Sequence, residues 1–207
     1  MKRILTATLL VFIAAAYLQA DDAQPKDPLR TSITKYFEGM FAKLELAADK
    51  NPQKKTFRKI MKPLVKDIDG MYGATLISTN FVIKQVYYSR NFLARGYDLK
   101  KVKELKTFYK QMQEKPAPQL SEPGHGSIMQ PALVAMRYPV IKDGIFTNIV
   151  SMMIRTESFI EAVGLDKYNA YEIICDGKSA EKEGKLSEKP ESIKVKLPST
   201  EWVIKYN

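Results

Sequence analysis

Residues 133–154 read LVAMRYPVIKDGIFTNIVSMMI and decide the fold class. Two runs rich in apolar, β-branched and aromatic residues, 132–141 and 145–154, flank the segment Lys142-Asp143-Gly144. An Asp-Gly pair between two such runs is typical of a tight hairpin, because these residues tolerate the positive φ angles of the turn. The stretch therefore predicts two long antiparallel strands that pair with each other.

A long helix is predicted near the start of the chain. Asp27 can cap it, and Pro28 suits its first position, where the missing N–H costs nothing. Apolar residues then recur at spacings of three and four and gather on one face: Leu29, Ile33, Tyr36, Phe37, Met40, Phe41, Leu44 and Ala47. Asn51-Pro52 interrupts the pattern. A second helical stretch is expected over 57–68, kinked or divided at Pro63.

The other predicted elements are mostly strands. They are a hairpin over 72–88, a helix from Leu99 to Gln113 capped by Asp98, a helix from Thr156 to Val163 ended by Gly164, and strands over 168–175, 193–197 and 201–206. The charged segment 178–190 is expected to be a loop. This order predicts an α+β fold in which a long N-terminal helix precedes an antiparallel sheet with one helical excursion.

Composition excludes several classes of protein. With 45% hydrophobic residues, the chain of 207 residues can bury a core, so disorder is not expected. The net charge of +10 is spread along the sequence, which argues against a nucleic-acid partner. One cysteine, Cys175, and one histidine, His125, exclude disulfide frameworks and zinc sites built from these residues. No nucleophile motif is present, so we expect neither an enzyme nor a bound cofactor or metal.

The first 20 residues have the pattern of a secretory signal peptide. Lys2 and Arg3 precede an uncharged apolar run over 4–17, and Ala20 suits the position before a cleavage site. The run is short for a membrane span. We therefore expect cleavage and a periplasmic or secreted protein, with an uncleaved N-terminal anchor as the alternative. Residues 21–27 are then a linker, and 28–207 a single domain.

Two motifs resemble the Cache domains, the PAS-like extracytoplasmic sensors of chemoreceptors and sensor kinases. The first runs from Tyr97-Asp98-Leu99 through Lys106-Thr107-Phe108-Tyr109 to Gln119-Leu120-Ser121-Glu122-Pro123. The second is Leu133 to Val140 with its Tyr-Pro-Val core, followed by Asp143-Gly144 and the strand over 149–154. The resemblance covers roughly residues 29–174 in element order. It implies a PAS-like antiparallel sheet.

The resemblance also implies a small-ligand site between the sheet and the helix, and this chain departs from the family's pattern there. Amino-acid-binding members have Arg and Trp on the helix, where this chain has Lys106 and Phe108 and keeps only Tyr109. The acidic residue that would hold a ligand's ammonium group falls near Met153. These departures argue against an α-amino acid ligand. They remain compatible with a ligand carboxylate held by lysine or arginine.

Other candidate site residues have two interpretations. Tyr88 and Arg90 end a strand where pocket walls form, yet they equally suit half-buried packing. Arg137 interrupts an apolar strand, so it is either buried with a partner or ligand, or exposed on a solvated face. The predicted ligand-binding set is Tyr88, Arg90, Lys106, Phe108, Tyr109, Arg137 and Met153. His125, in Gly124-His125-Gly126, is expected to shape one mouth of the pocket.

These features predict an exported domain that binds a small organic acid or related metabolite and presents the bound state to a partner. The candidate partners are a membrane-bound signalling protein and a second copy of the chain, which would pair through the N-terminal helix. The alternative is a structural or protein-interaction module whose core is filled by side chains and which has no ligand.

Overall fold

The computed structural model describes residues 27–87, 95–124 and 132–207. The predictions for the signal segment, the linker up to residue 26, Tyr88, Arg90 and His125 lie outside the described residues. The described α-helices are α1 Pro28–Asp49, α2 Phe57–Val65, α3 Lys106–Glu114 and α4 Thr156–Val163. The described strands are β1 Met71–Ser78, β2 Ile83–Tyr87, β3 Gln119–Leu120, β4 Leu133–Lys142, β5 Ile145–Arg155, β6 Tyr171–Cys175, β7 Lys178–Glu183, β8 Glu191–Leu197 and β9 Thr200–Tyr206.

The strands form two antiparallel sheets where the sequence predicted one. The first sheet has five strands in the order β2-β1-β5-β4-β3, and the second has four in the order β7-β6-β9-β8. The hairpin that decides the fold class is confirmed, with Lys142 paired to Ile145. Asp143 and Gly144 have φ angles of 51° and 77°. This is the two-residue turn that matches the twist of the flanking strands.

The first helix begins at the predicted cap and is attached there to the last strand. Asp27 Oδ1 accepts a hydrogen bond of 3.0 Å from the backbone N–H of Arg30. Its other oxygen, Oδ2, accepts one of 2.9 Å from the hydroxyl of Tyr206. The two oxygens of one carboxylate thus cap α1 and join it to β9.

The main core joins α1 to both sheets. Helix α1 contacts β4 and β5 in the first sheet and β8 in the second. Phe37 of α1, Phe159 of α4 and Trp202 of β9 are fully buried at the centre of this contact. The Phe37 ring lies 5.3 Å from the Trp202 ring and 5.0 Å from the Phe159 ring, measured between centroids. Burial of apolar area by these three elements is the main force that holds the helix against the sheets.

The predicted helix from Leu99 to Gln113 is wrong over its first seven residues. Asp98 does cap a helical turn, because its side chain accepts a 3.0 Å hydrogen bond from the N–H of Lys100. That turn and the next are short 3-10 segments, Leu99–Lys101 and Lys103–Leu105. Val102 between them is extended, with ψ at 108°, so the α-helix begins only at Lys106. Its β-branched side chain disfavours helix.

Two other boundaries differ from the sequence prediction. The charged segment 178–190 contains strand β7, which pairs with β6 along its length. Only Ala180 of this strand is buried, so its hydrophobic pattern is too weak to predict a strand. Pro63 lies inside α2 and does not divide it, although the helix ends at Val65, before the expected Ile68.

Candidate functional site

The two faces of the five-stranded sheet have different coverings. On β4, Tyr138 faces α1, since its hydroxyl donates a 3.0 Å hydrogen bond to Glu45 Oε1. Successive side chains of a strand point to opposite faces, so Arg137 faces away from α1. Its guanidinium carbon lies 4.4 Å from the centre of the Phe108 ring, which belongs to α3. The face opposite α1 is therefore covered by α3.

Four polar side chains cross this second face in one row. Strand pairing places Arg137 between Gln119 of β3 and Ser151 of β5, and places Ser151 opposite Thr75 of β1. Directly paired residues have their side chains on the same face. All four are buried, with exposed fractions of 4% for Gln119, 9% for Arg137, 3% for Ser151 and 5% for Thr75. We call them the polar row.

Apolar side chains border the polar row on the same face of the sheet. They form a second buried cluster, separate from the main core: Ile77, Phe81, Ile83, Val86, Phe108, Met112 and Ile149. Phe81 has a φ angle of 61°, which is uncommon for an aromatic residue. Its ring meets the Phe108 ring edge to face at 5.4 Å. This contact fixes the position of Phe108 above Arg137.

Arg137 is a buried cation without a carboxylate partner among the described residues. Burial lowers the pKa of its guanidinium from 12.5 to about 10, and the nearby Tyr109 raises it in part. The group therefore stays charged at neutral pH. Phe108 supplies the described contact to the charge. Of the two interpretations of the sequence, buried with a partner or exposed on a solvated face, the structure supports the buried one.

Tyr109 has a structural task next to this site. Its hydroxyl lies against the carbonyl oxygens of Leu99 and Val102, which share its one proton as acceptors. Its ring lies 5.1 Å from the Phe81 ring. Burial raises the pKa of the hydroxyl above 10, and the carboxylates of Asp98 and Glu104 add to that rise. Tyr109 thus holds the 3-10 turns onto α3, and its ring borders the apolar end of the site.

The other predicted residues of the set occupy different positions. Lys106 is exposed at the start of α3. Met153 is half-buried and lies two residues beyond Ser151 on β5, so it shares the face of the polar row. Tyr88 and Arg90 lie outside the described residues. The structure therefore brings together Phe108, Tyr109, Arg137 and Met153 from the predicted set.

Sequence reasoning did not find Gln119, Ser151 and Thr75. Each is a common surface residue type, and no local spacing links the three. Only the register between β1, β5, β4 and β3 places them in one row. A usable signal was the position of Ser151 two residues before Met153 on a strand that was already predicted.

A surface groove of about 610 Å³ lies elsewhere, beside the edge strand β2. It is lined by Lys54, Ile83, Lys84, Arg95 and Gly96. The Lys84 ammonium donates a 2.9 Å hydrogen bond to Asn148 Oδ1. The groove is open to solvent, so an anion there would compete with water. The polar row, which is buried, is the stronger candidate for a specific ligand.

Within residues 27–87, 95–124 and 132–207, no group of three His, Cys, Asp or Glu side chains is arranged to hold a metal. Among these residues no helix is long and apolar enough to cross a membrane. Cys175 is buried, and burial raises the pKa of its thiol to about 12. The thiol is therefore protonated at neutral pH and packs as a small apolar side chain.

No family model and no curated protein matches the sequence, but solved structures do. An extracellular ligand-binding receptor from Desulfohalobium retbaense matches with a TM-score of 0.67 and 14% identity, over 86% of this chain and 38% of that chain. The ligand-binding domain of the Pseudomonas aeruginosa amino-acid chemoreceptor PctC, in complex with GABA, matches with a TM-score of 0.61 and 15% identity. The match covers 86% of this chain and 93% of that chain. The ligand-binding domain of the Pseudomonas fluorescens chemoreceptor CtaA, in complex with L-isoleucine, matches with a TM-score of 0.62 and 15% identity. The match covers 86% of each chain.

The fold is that of the Cache sensor domains. This confirms the predicted α+β class, with a long N-terminal helix and PAS-like antiparallel strands. The Cache fold of this chain contains the second sheet, β6 to β9, in addition to the sheet that carries the polar row. Because the identities are 13–15%, the likeness establishes the fold, and a ligand has to be argued from this chain's own residues.

Proposed function

We propose that this chain is an extracytoplasmic Cache sensor domain that binds a small organic acid between α3 and the polar row. The observation that carries the proposal is the buried guanidinium of Arg137, which has no carboxylate partner among the described residues. A guanidinium can donate two parallel hydrogen bonds to one carboxylate. The hydroxyls of Ser151 and Thr75, in the same row, are further donors.

The solved neighbours support a carboxylate as the common chemical group. PctC was solved with GABA, CtaA with L-isoleucine and PctB with L-arginine, and each of these ligands carries a carboxylate and an amino group. In this chain Met153 occupies the face of the polar row where the resemblance implies an acid. Arg137 can therefore hold the carboxylate, whereas no described acidic side chain faces it to hold an ammonium group. This favours an organic acid without an amino group.

A structural or protein-interaction module remains the second candidate, and one observation favours it. The Phe108 ring already lies against the guanidinium of Arg137, and both side chains are buried. A core filled by side chains would have this arrangement without any ligand. The two candidates differ in whether small carboxylates stabilise the folded protein.

A thermal-shift screen separates these candidates. We expect propionate and other small monocarboxylates at millimolar concentration to raise the unfolding temperature, because a ligand that binds only the folded state stabilises it by mass action. GABA and L-isoleucine should raise it less, and propylamine should not raise it. Sodium chloride at equal ionic strength is the control. A rise with propylamine but not with propionate would refute the organic-acid assignment, and no rise with any compound would favour the module.

The signalling part of the proposal is a shift between two conformations. A ligand on Arg137 that favours one position of α3 changes the population of that state. We propose that residues 28–207 act as a single domain, that a membrane-bound signalling protein reads the bound state, and that a second copy pairs through α1. The contacts of α1 with both sheets support its role in carrying the change.

Export is part of the same proposal. We expect the mature protein to begin at Asp21, because the basic start, the apolar run and Ala20 suit cleavage by a signal peptidase. Intact-mass measurement of protein recovered from the periplasm or the medium checks this. A full-length mass in the membrane fraction would instead identify the segment as an anchor.

A further inference from the structure

We propose that Phe108 occupies the carboxylate subsite beside Arg137, so that a ligand must displace the ring to reach the guanidinium. This inference rests on the function proposed above. Phe108 is then a gate that lowers affinity, and it is not a wall of the ligand site.

The contact itself resembles a ligand contact. The face of an aromatic ring carries partial negative charge and attracts a cation. With 4.4 Å between the ring centre and the guanidinium carbon, Phe108 is well within the range of this attraction. Phe108 is 6% exposed and Arg137 is 9% exposed, so water contributes little at this point. The ring thus takes the place of an anion that the described residues do not supply.

Among the described residues, the neighbours of Arg137 favour an approach from the side of α3. Gln119 and Ser151 flank it on the neighbouring strands, and the sheet lies beneath it. A side chain stands roughly perpendicular to its sheet, so a ligand must come from the side of α3. That side is covered by Phe108. A bound carboxylate and the present position of the ring therefore compete for the same guanidinium.

Helix α3 is lightly held, which makes displacement feasible. It has nine residues, and only Phe108 and Met112 are buried. By comparison, α1 buries seven residues. The helix follows two 3-10 turns and an extended Val102 rather than a continuous helix. A small movement of α3 that releases Phe108 and keeps Met112 in place breaks few contacts.

The experiment measures the affinity for sodium propionate by calorimetric titration of the whole mature chain. Phe108→Leu keeps apolar volume but removes the aromatic face, so we expect it to bind propionate roughly 3- to 30-fold more tightly than the wild type, which is the range of a cation–π contact. Phe108→Ala should show the same direction. Gln111→Gly is the matched control, since glycine weakens the same helix at an exposed position outside the apolar cluster and leaves the ring in place. Its affinity should stay within about twofold.

The following outcomes would contradict the proposal that Phe108 acts as a gate. An unchanged or weaker affinity in Phe108→Leu would make the ring a wall of the site and leave the proposed function intact. An equal gain in Gln111→Gly would attribute the effect to a looser helix. Absence of propionate binding in the wild type and in all variants would refute the proposed function together with the gate. The Arg137 Nε–H signal can also be followed by nitrogen NMR of the arginine side chains. Because the Phe108 ring lies over the guanidinium, displacement of the ring by propionate should change the chemical shift of this signal in the wild type.

Discussion

Arg137→Met is expected to abolish stabilisation by small carboxylates and to leave the unliganded fold intact. Hydrogen bonds to a charged group are worth about 1.5–3 kcal/mol, so the affinity for propionate should fall by at least roughly tenfold. Methionine fills similar space without the charge. Replacing a buried charge by an apolar side chain is often neutral or stabilising, so the unfolding temperature of the free protein should not fall much.

The matched control for this substitution is Arg155→Met. Arg155 ends the neighbouring strand β5, and its guanidinium pairs at the surface with Glu157 at 3.2 Å. Removing this exposed pair changes the net charge by the same amount and should leave propionate binding unchanged. Equal affinities for propionate in Arg137→Met and wild type would exclude Arg137 as the carboxylate partner. Arg90, outside the described residues, would then be the next arginine to replace.

Trp202→Ala is expected to destabilise the protein by about 3–5 kcal/mol, the range for removing a large aromatic side chain from a core. Trp202 is fully buried and joins the second sheet to Phe37 of α1 and Phe159 of α4. Its loss leaves a cavity where these elements meet. Urea unfolding followed by far-UV circular dichroism measures the change, since the substitution also removes the only tryptophan of the chain.

The control at this position is Trp202→Phe. The indole Nε1–H is buried and has no hydrogen-bond acceptor among the described residues. Phenylalanine removes this unpaired donor and retains most of the ring contacts, so its loss of stability should be clearly smaller than that of alanine. A loss below about 1 kcal/mol for Trp202→Ala would show that the contact between α1 and the second sheet adds little to stability.

Elements with strong local signals were predictable from the sequence. The cap at Asp27, the Asp143-Gly144 turn and the end of α4 at Gly164 each depend on a residue type that suits one backbone conformation. Gly164 has a φ of 77° at that position, as such an ending requires. The start of α3 was not predictable in this way, because the extended Val102 accepts a hydrogen bond from the hydroxyl of Tyr109, seven residues away, and helical periodicity does not indicate such a contact.

The residues of the candidate site differ in the same way in how far the sequence predicts them. Arg137 could be singled out because a charge in an apolar strand is unusual in itself. Its neighbours in the polar row could not, since the register that places Ser151 opposite Arg137 is shifted by an irregularity between Val140 and Ile141, and Thr75 belongs to β1, which is distant in the sequence. The position of Phe108 above the guanidinium depends on how α3 crosses the sheet, which helical periodicity does not determine.

The shared carboxylate of Asp27 has a mechanical consequence. One oxygen of this carboxylate binds the start of α1, and the other binds Tyr206 at the end of β9. A movement of the helix start is therefore transmitted directly to the last strand. A segment attached before residue 27 and a segment attached after residue 207 would leave the molecule from neighbouring points. Tension on either segment would act on the same pair of hydrogen bonds at Asp27.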